Sequence, residues 1–182
     1  LMKTAELQKK LGFDSLLALT FNNIGSVYLE EEKYDEALDF LRQSRTFSQK
    51  FNLKKELAIS WNNEGILFFK QGKFKDAEAG FNQAVKLQRE LELRIDLART
   101  LNNLSIISSS KKDLKTALDL VQEAVTSLSL KVLDKNEFFP NPDQKSILAP
   151  DLMKDFLQNK GAFLRTLATQ TDEAKLKVSY LE

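Results

Sequence analysis

Residues 16–30 read LLALTFNNIGSVYLE, residues 56–70 read ELAISWNNEGILFFK, and residues 96–110 read DLARTLNNLSIISSS. The three stretches share an Asn-Asn pair that recurs every 40 residues, with an alanine four positions before it. They divide the chain without a gap into the segments 16–55, 56–95 and 96–135. A fixed period of about 20 to 50 residues is typical of a stack of structural repeats, in which each unit touches only its neighbours. The sequence therefore predicts a repeat protein.

The composition excludes several kinds of site and partner. Lys and Arg number 27 against 26 Asp and Glu, so the chain has no basic surface for nucleic acid and no polybasic membrane signal. Cysteine and histidine are absent, which excludes disulfides, Cys-His nucleophile pairs and imidazole bases. No apolar run approaches membrane-spanning length, and no signal peptide pattern is present. We therefore expect a cytoplasmic protein that is not an enzyme, with no cofactor, no metal, no nucleic-acid partner and no membrane partner.

Each repeat is predicted to contain two helices. In the first repeat, two sets of apolar residues follow the three-and-four spacing of a helix face. The first set is Leu17, Phe21, Ile24, Tyr28 and Leu29, and the second is Tyr34, Leu38, Leu41 and Phe47. The polar turn at 31–33 separates the two sets, and Gly12 and Asn52 occupy a position where a left-handed residue suits a helix end. Each repeat is therefore predicted to be a helical hairpin.

The two ends of the chain fit the same register. The stretch 7–11 resembles the stretch 87–91, so residues 1–15 are predicted to hold the second helix of a truncated repeat in a fragment of a longer protein. Residues 136–150 hold all three prolines and are predicted to be an irregular connection that interrupts the period. Residues 151–182 are predicted to form a divergent helical hairpin, in which Gly161 aligns with Gly25 after an insertion of 16 residues.

The spacing Phe21-x2-Ile24-Gly25-x2-Tyr28, followed by Tyr34-x2-Ala37-x3-Leu41, resembles the tetratricopeptide pattern. The second repeat fits as well, and the 40-residue period resembles that of kinesin light chain repeats. The resemblance implies an all-α fold, a right-handed superhelical solenoid of antiparallel helix pairs. In the degenerate third repeat, Ser105 takes the glycine position and the serines at 108–110 replace an aromatic and apolar run. We expect looser packing there.

The resemblance also implies a binding site, because the first helix of each repeat in this family lines a concave groove. The positions carried over are Leu19, Asn22, Asn23, Ser26, Leu29 and Glu30, then Ile59, Asn62, Asn63, Ile66, Phe69 and Lys70, then Arg99, Asn102, Asn103, Ile106, Ser109 and Ser110. Amide side chains both donate and accept hydrogen bonds, so a ladder of them could bind a peptide backbone while the isoleucines and Phe69 take its side chains. The alternative is that one Asn of each pair bonds a neighbouring helix and serves only the stack.

Three functions follow from these observations. The first is a non-catalytic scaffold for a protein or peptide partner with apolar anchors, because Lys70 and Arg99 are too few to clamp a terminal carboxylate. The second rests on Leu152-x4-Leu157-x2-Lys160-Gly161-x2-Leu164-x2-Leu167, which resembles the segment that joins such repeats to a caspase-like CHAT domain in bacterial proteins. It implies a regulatory or sensor arm of a protease or signalling protein. The third is self-assembly through open solenoid ends, which expose apolar faces.

Overall fold

The computed structural model describes residues 1–129 and 147–170. The chain divides into two compact units, unit 1 at residues 1–92 and unit 2 at residues 93–182. Most of the predicted connection at 136–150 lies outside the described residues, as does the second helix that was predicted within 171–182.

Helices joined by short turns make up nearly all of the described residues. Unit 1 contains α1 (Met2–Leu11), α2 (Asp14–Glu30), α3 (Tyr34–Lys50), α4 (Lys54–Lys70) and α5 (Phe74–Glu90). Unit 2 contains α6 (Arg94–Ser110), α7 (Leu114–Leu128) and α8 (Pro150–Gln170). Outside the helices, an isolated antiparallel bridge pairs Ser129 with Ile147. Helices α2 and α3, α4 and α5, and α6 and α7 pack as hairpins, and α8 packs on α7 and α6.

A left-handed residue ends most of these helices. In the turn between α2 and α3, Glu32 has a φ of 58°, and the N–H of Lys33 donates to the carbonyl of Tyr28 at 2.9 Å. This is the Schellman arrangement, which satisfies carbonyls that the last helical turn leaves without partners. The same positive φ occurs at Gly12, Asn52, Gly72, Glu92 and Lys112. The turn geometry therefore repeats even where the residue is neither Gly nor Asn, and packing of the flanking helices offsets the local cost.

Small residues allow the helices of each hairpin to approach closely. Ala37 and Ala77 are fully buried on the second helices of the two hairpins of unit 1. A Cβ added at Gly65 would lie 2.6 Å from the ring of Phe81, and one added at Gly80 would lie 3.2 Å from the Cα of Gly65. Helices α4 and α5 therefore pack nearly backbone to backbone where the two glycines face each other.

The serines of the third repeat do not loosen unit 2, which differs from the expectation. Ser105 is fully buried, and its hydroxyl donates to the carbonyl of Asn102 at 2.7 Å. Leu118 and Val121 on α7 are buried as deeply as the core residues of unit 1. A hydroxyl that is bonded within its own helix leaves no unsatisfied group in the core, so a small serine packs there much as glycine would.

Two glycine substitutions at equivalent positions are expected to have opposite effects. Gly65→Ala should destabilise the protein by about 1–3 kcal/mol, because the new methyl group overlaps the Phe81 ring. Gly161→Ala should stabilise it by up to about 1 kcal/mol, because the nearest atom is 3.4 Å away and alanine is the better helix former. Urea unfolding followed by circular dichroism measures both, and a Gly65→Ala variant as stable as the parent protein would contradict the close approach.

Candidate functional site

Side-chain amides connect the first helices of the two hairpins in unit 1. Nδ2 of Asn63 on α4 donates to Oδ1 of Asn22 at 3.2 Å and to Oγ of Ser26 at 3.1 Å, both on α2. Nδ2 of Asn62 donates to Oδ1 of Asn63 at 3.3 Å. The hydroxyl of Ser26 in turn donates to the backbone carbonyl of Asn22 at 3.0 Å. We call these four residues the amide ladder.

Asn22 supports the ladder from a buried position. Its side chain is 3% exposed, so it cannot touch a ligand directly, which differs from the groove position predicted for it. Asn23, its neighbour in sequence, is exposed. The first Asn of the pair therefore serves the stack in α2, as the alternative interpretation proposed, while the second faces outward.

Unit 2 contains an equivalent amide contact that the sequence analysis missed. Nδ2 of Asn159 on α8 donates to Oδ1 of Asn102 on α6 at 2.9 Å, across a sequence separation of 57 residues. The separation between Asn22 and Asn63 is 41 residues, and the difference equals the 16-residue insertion that aligns Gly161 with Gly25. That alignment already places Asn159 in the column of Asn63, so the signal was present in the sequence.

The remaining predicted residues lie on the first helices with different degrees of exposure. Ile59, Ile66 and Phe69 are half-buried and Lys70 is exposed on α4, whereas Asn103 and Ile106 are half-buried and Arg99 is exposed on α6. Leu29 is a correction, because it is buried with Leu41 and Leu67 in the core of unit 1. Phe69 packs against Phe74, with ring centroids 5.7 Å apart.

The exposed face of α2 includes Val27, an apolar residue that the sequence did not single out. Leu19 is 37% exposed and Val27 is 44% exposed, and Asn23 lies one turn from each of them. Residues four apart share a helix face, so this spacing was readable from the sequence. The face of α2 that points to solvent thus carries an amide between two aliphatic side chains.

A buried ion pair joins α3 to α4. Nε of Arg45 lies 2.7 Å from Oε1 of Glu64, whose residue is 3% exposed. The Arg45 guanidinium also stacks on Trp61, with Cζ 4.3 Å from the ring centroid. Burial raises the pKa of Glu64, and the charges of Arg45 and Arg42 oppose that rise. Burying the Glu64 carboxylate costs free energy, and the positive charge of Arg45 offsets part of that cost.

Unit 2 has a buried charge at the position equivalent to Glu64. Lys160 on α8 is 4% exposed, and burial lowers the pKa of its ammonium group from 10.5 to about 8. The same structural position therefore holds an acid in one unit and a base in the other. In each case the surroundings favour the neutral form.

The described ranges offer no group of three or more His, Cys, Asp or Glu side chains that could hold a metal ion. None of the helices in the described part of the chain is long and apolar enough to cross a membrane.

The amide ladder gives a stability prediction with a matched control. Asn63→Ala should destabilise the protein by about 1–3 kcal/mol, because it leaves the Asn22 carbonyl oxygen buried without its donor. Asn23→Ala, at the equivalent position of α2, should change stability by less than about 0.5 kcal/mol because Asn23 is exposed. Chemical unfolding of both variants measures the difference, and equal effects would show that the ladder does not stabilise unit 1.

The buried lysine gives a pH prediction. The folded-state pKa of Lys160 lies below its unfolded value, so the unfolded chain holds the proton more tightly. Folding is penalised in full below about pH 8, and the penalty disappears as the pH rises toward 10.5. Lys160→Met should therefore stabilise the protein more at pH 7 than at pH 10.5, and the difference should develop between pH 8 and pH 10.5.

The control for this change is Lys154→Met, which alters an exposed lysine on the same helix. Its effect on the unfolding free energy should be small, because the side chain is exposed. A gain from Lys160→Met that stays constant from pH 7 to pH 10.5 would show that burial of the charge is not its cause.

Comparison with known proteins assigns the fold. Family models described as tetratricopeptide repeat match residues 17–50 and residues 56–128. Among curated proteins, none matches the sequence significantly. The crystal structure of BtubC (BKLC) from P. vanneervenii is similar, with a TM-score of 0.70 at 18% sequence identity. The match covers 92% of this chain and 61% of that chain, so this chain spans less than two thirds of BtubC.

The structural match confirms the predicted all-α solenoid fold of antiparallel helix pairs. The residues matched by the two family models make up more than half of the chain, and they include both complete hairpins of unit 1 and the hairpin formed by α6 and α7. The chain belongs to the tetratricopeptide-repeat family.

Proposed function

We propose that the first helices of the hairpins bind a peptide segment of a partner protein through apolar anchors. Tetratricopeptide repeats are in general non-catalytic scaffolds for protein interaction. The observation that carries the finer proposal is the amide ladder together with Ile59 and Ile66 on α4, which are half-buried and add aliphatic surface beside it.

The hydrogen bonds of the ladder limit what it offers to a peptide. Within residues 1–129 and 147–170, both N–H groups of the Asn63 amide are used, by Asn22 and Ser26, while its oxygen accepts from Asn62. An amide oxygen has two lone pairs, so Asn63 can accept one further hydrogen bond. A peptide N–H is the donor that matches it, and the apolar side chains supply most of the affinity.

In unit 2, the same proposal assigns Asn103 and Ile106 on α6 to partner contact, with Arg99 as an isolated exposed cation on that helix. Asn102 is engaged by Asn159, so it takes the supporting role that Asn22 has in unit 1. One cation on each of α4 and α6 favours an internal segment of the partner over a free carboxylate end.

The test is a pair of matched double variants in the full chain. Ile59→Glu with Ile66→Glu places two charges on the proposed face of α4, whereas Ala79→Glu with Gln83→Glu places two on exposed positions of α5. Partner peptides are first selected from a displayed peptide library with the parent protein, and their affinities for each variant are then measured by calorimetry. We expect the α4 variant to weaken binding at least ~10-fold, because charges in an apolar contact are poorly compensated.

The α5 variant should bind the same peptides as the parent protein does. Circular dichroism establishes that both variants are folded before affinities are compared. Selected peptides that bind the folded α4 variant with unchanged affinity would rule out this face.

Two other roles stay predictions of the sequence. If the chain is the arm of a caspase-like protein, the genomic sequence beyond position 182 should encode a domain with a His and a Cys. If it is a self-assembling scaffold, light scattering should show a mass that grows with concentration.

A further inference from the structure

A pocket of about 390 Å³ lies in unit 1 among helices α1, α2 and α3. Leu17 and Phe21 from α2 and Phe47 from α3 form its apolar floor, and none of its residues belongs to the amide ladder. The rings of Phe21 and Phe47 meet edge to face, with centroids 6.4 Å apart and an interplanar angle of 78°. Pockets of this size and lining are typical of sites for small organic ligands.

The pocket coincides with a difference between the repeats. In the next repeat, the Arg45 guanidinium stacks on the ring of Trp61. Forty residues earlier, Ala5 stands in the position of Arg45 and Phe21 in that of Trp61. Ala5 is buried on α1, and its methyl group is too short to cover the Phe21 ring as Arg45 covers that of Trp61.

The rim of the pocket is positively charged. Lys9 from α1 and Arg42 and Lys50 from α3 line it, together with one carboxylate, Asp39. Oδ2 of Asp39 already accepts a hydrogen bond from Nε2 of Gln43 at 2.9 Å. Three cations against one anion produce a local excess of positive charge in a chain whose net charge is only +1. An anion above the apolar floor would therefore be stabilised.

The cationic rim is absent from the equivalent space in the next repeat. The residues that correspond to Lys9, Arg42 and Lys50 are Gln49, Asn82 and Glu90. Glu90 is paired with Lys54. The open apolar floor and the positive rim therefore occur together among α1, α2 and α3, and neither is found at the equivalent position of the next repeat. This coincidence favours one site that recognises both an apolar body and a negative charge.

We propose that this pocket binds a small organic anion with a flat apolar body, namely an aryl carboxylate or an aryl phosphate. The aromatic body would lie against Phe21 and Phe47, where edge and face contacts are favourable. The anionic group would lie between Lys9, Arg42 and Lys50, where a carboxylate or phosphate oxygen can accept charge-assisted hydrogen bonds. This site is separate from the peptide-binding face and does not depend on it.

The probes are 2-naphthoate, 2-naphthyl phosphate and the neutral alcohol 2-naphthalenemethanol, titrated into the isotope-labelled full chain. Amide NMR shifts locate the contact, and their concentration dependence gives the dissociation constants. Both anions should shift resonances of α1, α2 and α3 around the pocket. The alcohol should bind there at least ~10-fold more weakly, because it lacks the charge that the rim attracts. The ratio between the two anions identifies the preferred head group.

Two variants separate the floor from the rim. Ala5→Arg combined with Phe21→Trp and Ile24→Glu transfers the Arg45, Trp61 and Glu64 set into the pocket and should abolish binding of all three probes. Lys9→Gln combined with Lys50→Gln should weaken both anions at least ~10-fold and leave the alcohol unchanged. The matched control, Lys55→Gln combined with Lys75→Gln, removes two exposed cations outside the pocket and should bind like the parent protein.

The rim variant changes exposed residues only, so it decides the question if the filled-pocket variant does not fold. The proposal is overturned if the anions bind no better than the alcohol, if their shifts map outside α1 to α3, or if the rim variant binds them as tightly as the control does.

Discussion

Close approach between helices at small residues is the constraint on which both units depend. Helices α4 and α5 pack nearly backbone to backbone at Gly65 and Gly80, and the buried alanines Ala58 and Ala98 occupy one further column of small side chains. Asparagine has a short side chain, so Asn63 reaches Asn22 only because α2 and α4 are held near each other. The amide ladder is therefore a consequence of tight packing, and it reinforces the packing that permits it.

Much of this fold could be predicted because it depends on residues that are close in sequence. The 40-residue period, the apolar spacing from Leu17 onward, and the left-handed positions at Gly12 and Asn52 are all local signals, and the structure confirms the helix pairs that they predict. The left-handed turns at Glu32 and Lys112 carry no such signal. They follow from the packing of the flanking helices, which a local pattern does not contain.

The candidate site was harder to predict, because it depends on the register between helices. The sequence identified Asn22 and Asn63 as special but could not tell which would be buried, since their exposure is set by the neighbouring helix. The contact of Asn159 with Asn102 was hidden by an insertion of 16 residues. No sequence signal singled out Glu64, yet it is 3% exposed and paired with Arg45. In each case the partner across the helix interface, and not the residue itself, decides the role.

Because the same backbone arrangement repeats, a few side-chain differences at equivalent positions create different surfaces. With Arg45, Trp61 and Glu64, the space between neighbouring second helices is filled by a stacked guanidinium and a buried carboxylate. With Ala5, Phe21 and Ile24 at the equivalent positions, there is neither the guanidinium nor the carboxylate. Filling the space with charge requires both members of the ion pair, because a buried charge without its partner costs several kcal/mol. The open and filled states of this space therefore differ by coupled changes on two helices, so a single substitution at Ala5 or Ile24 would not convert one state into the other.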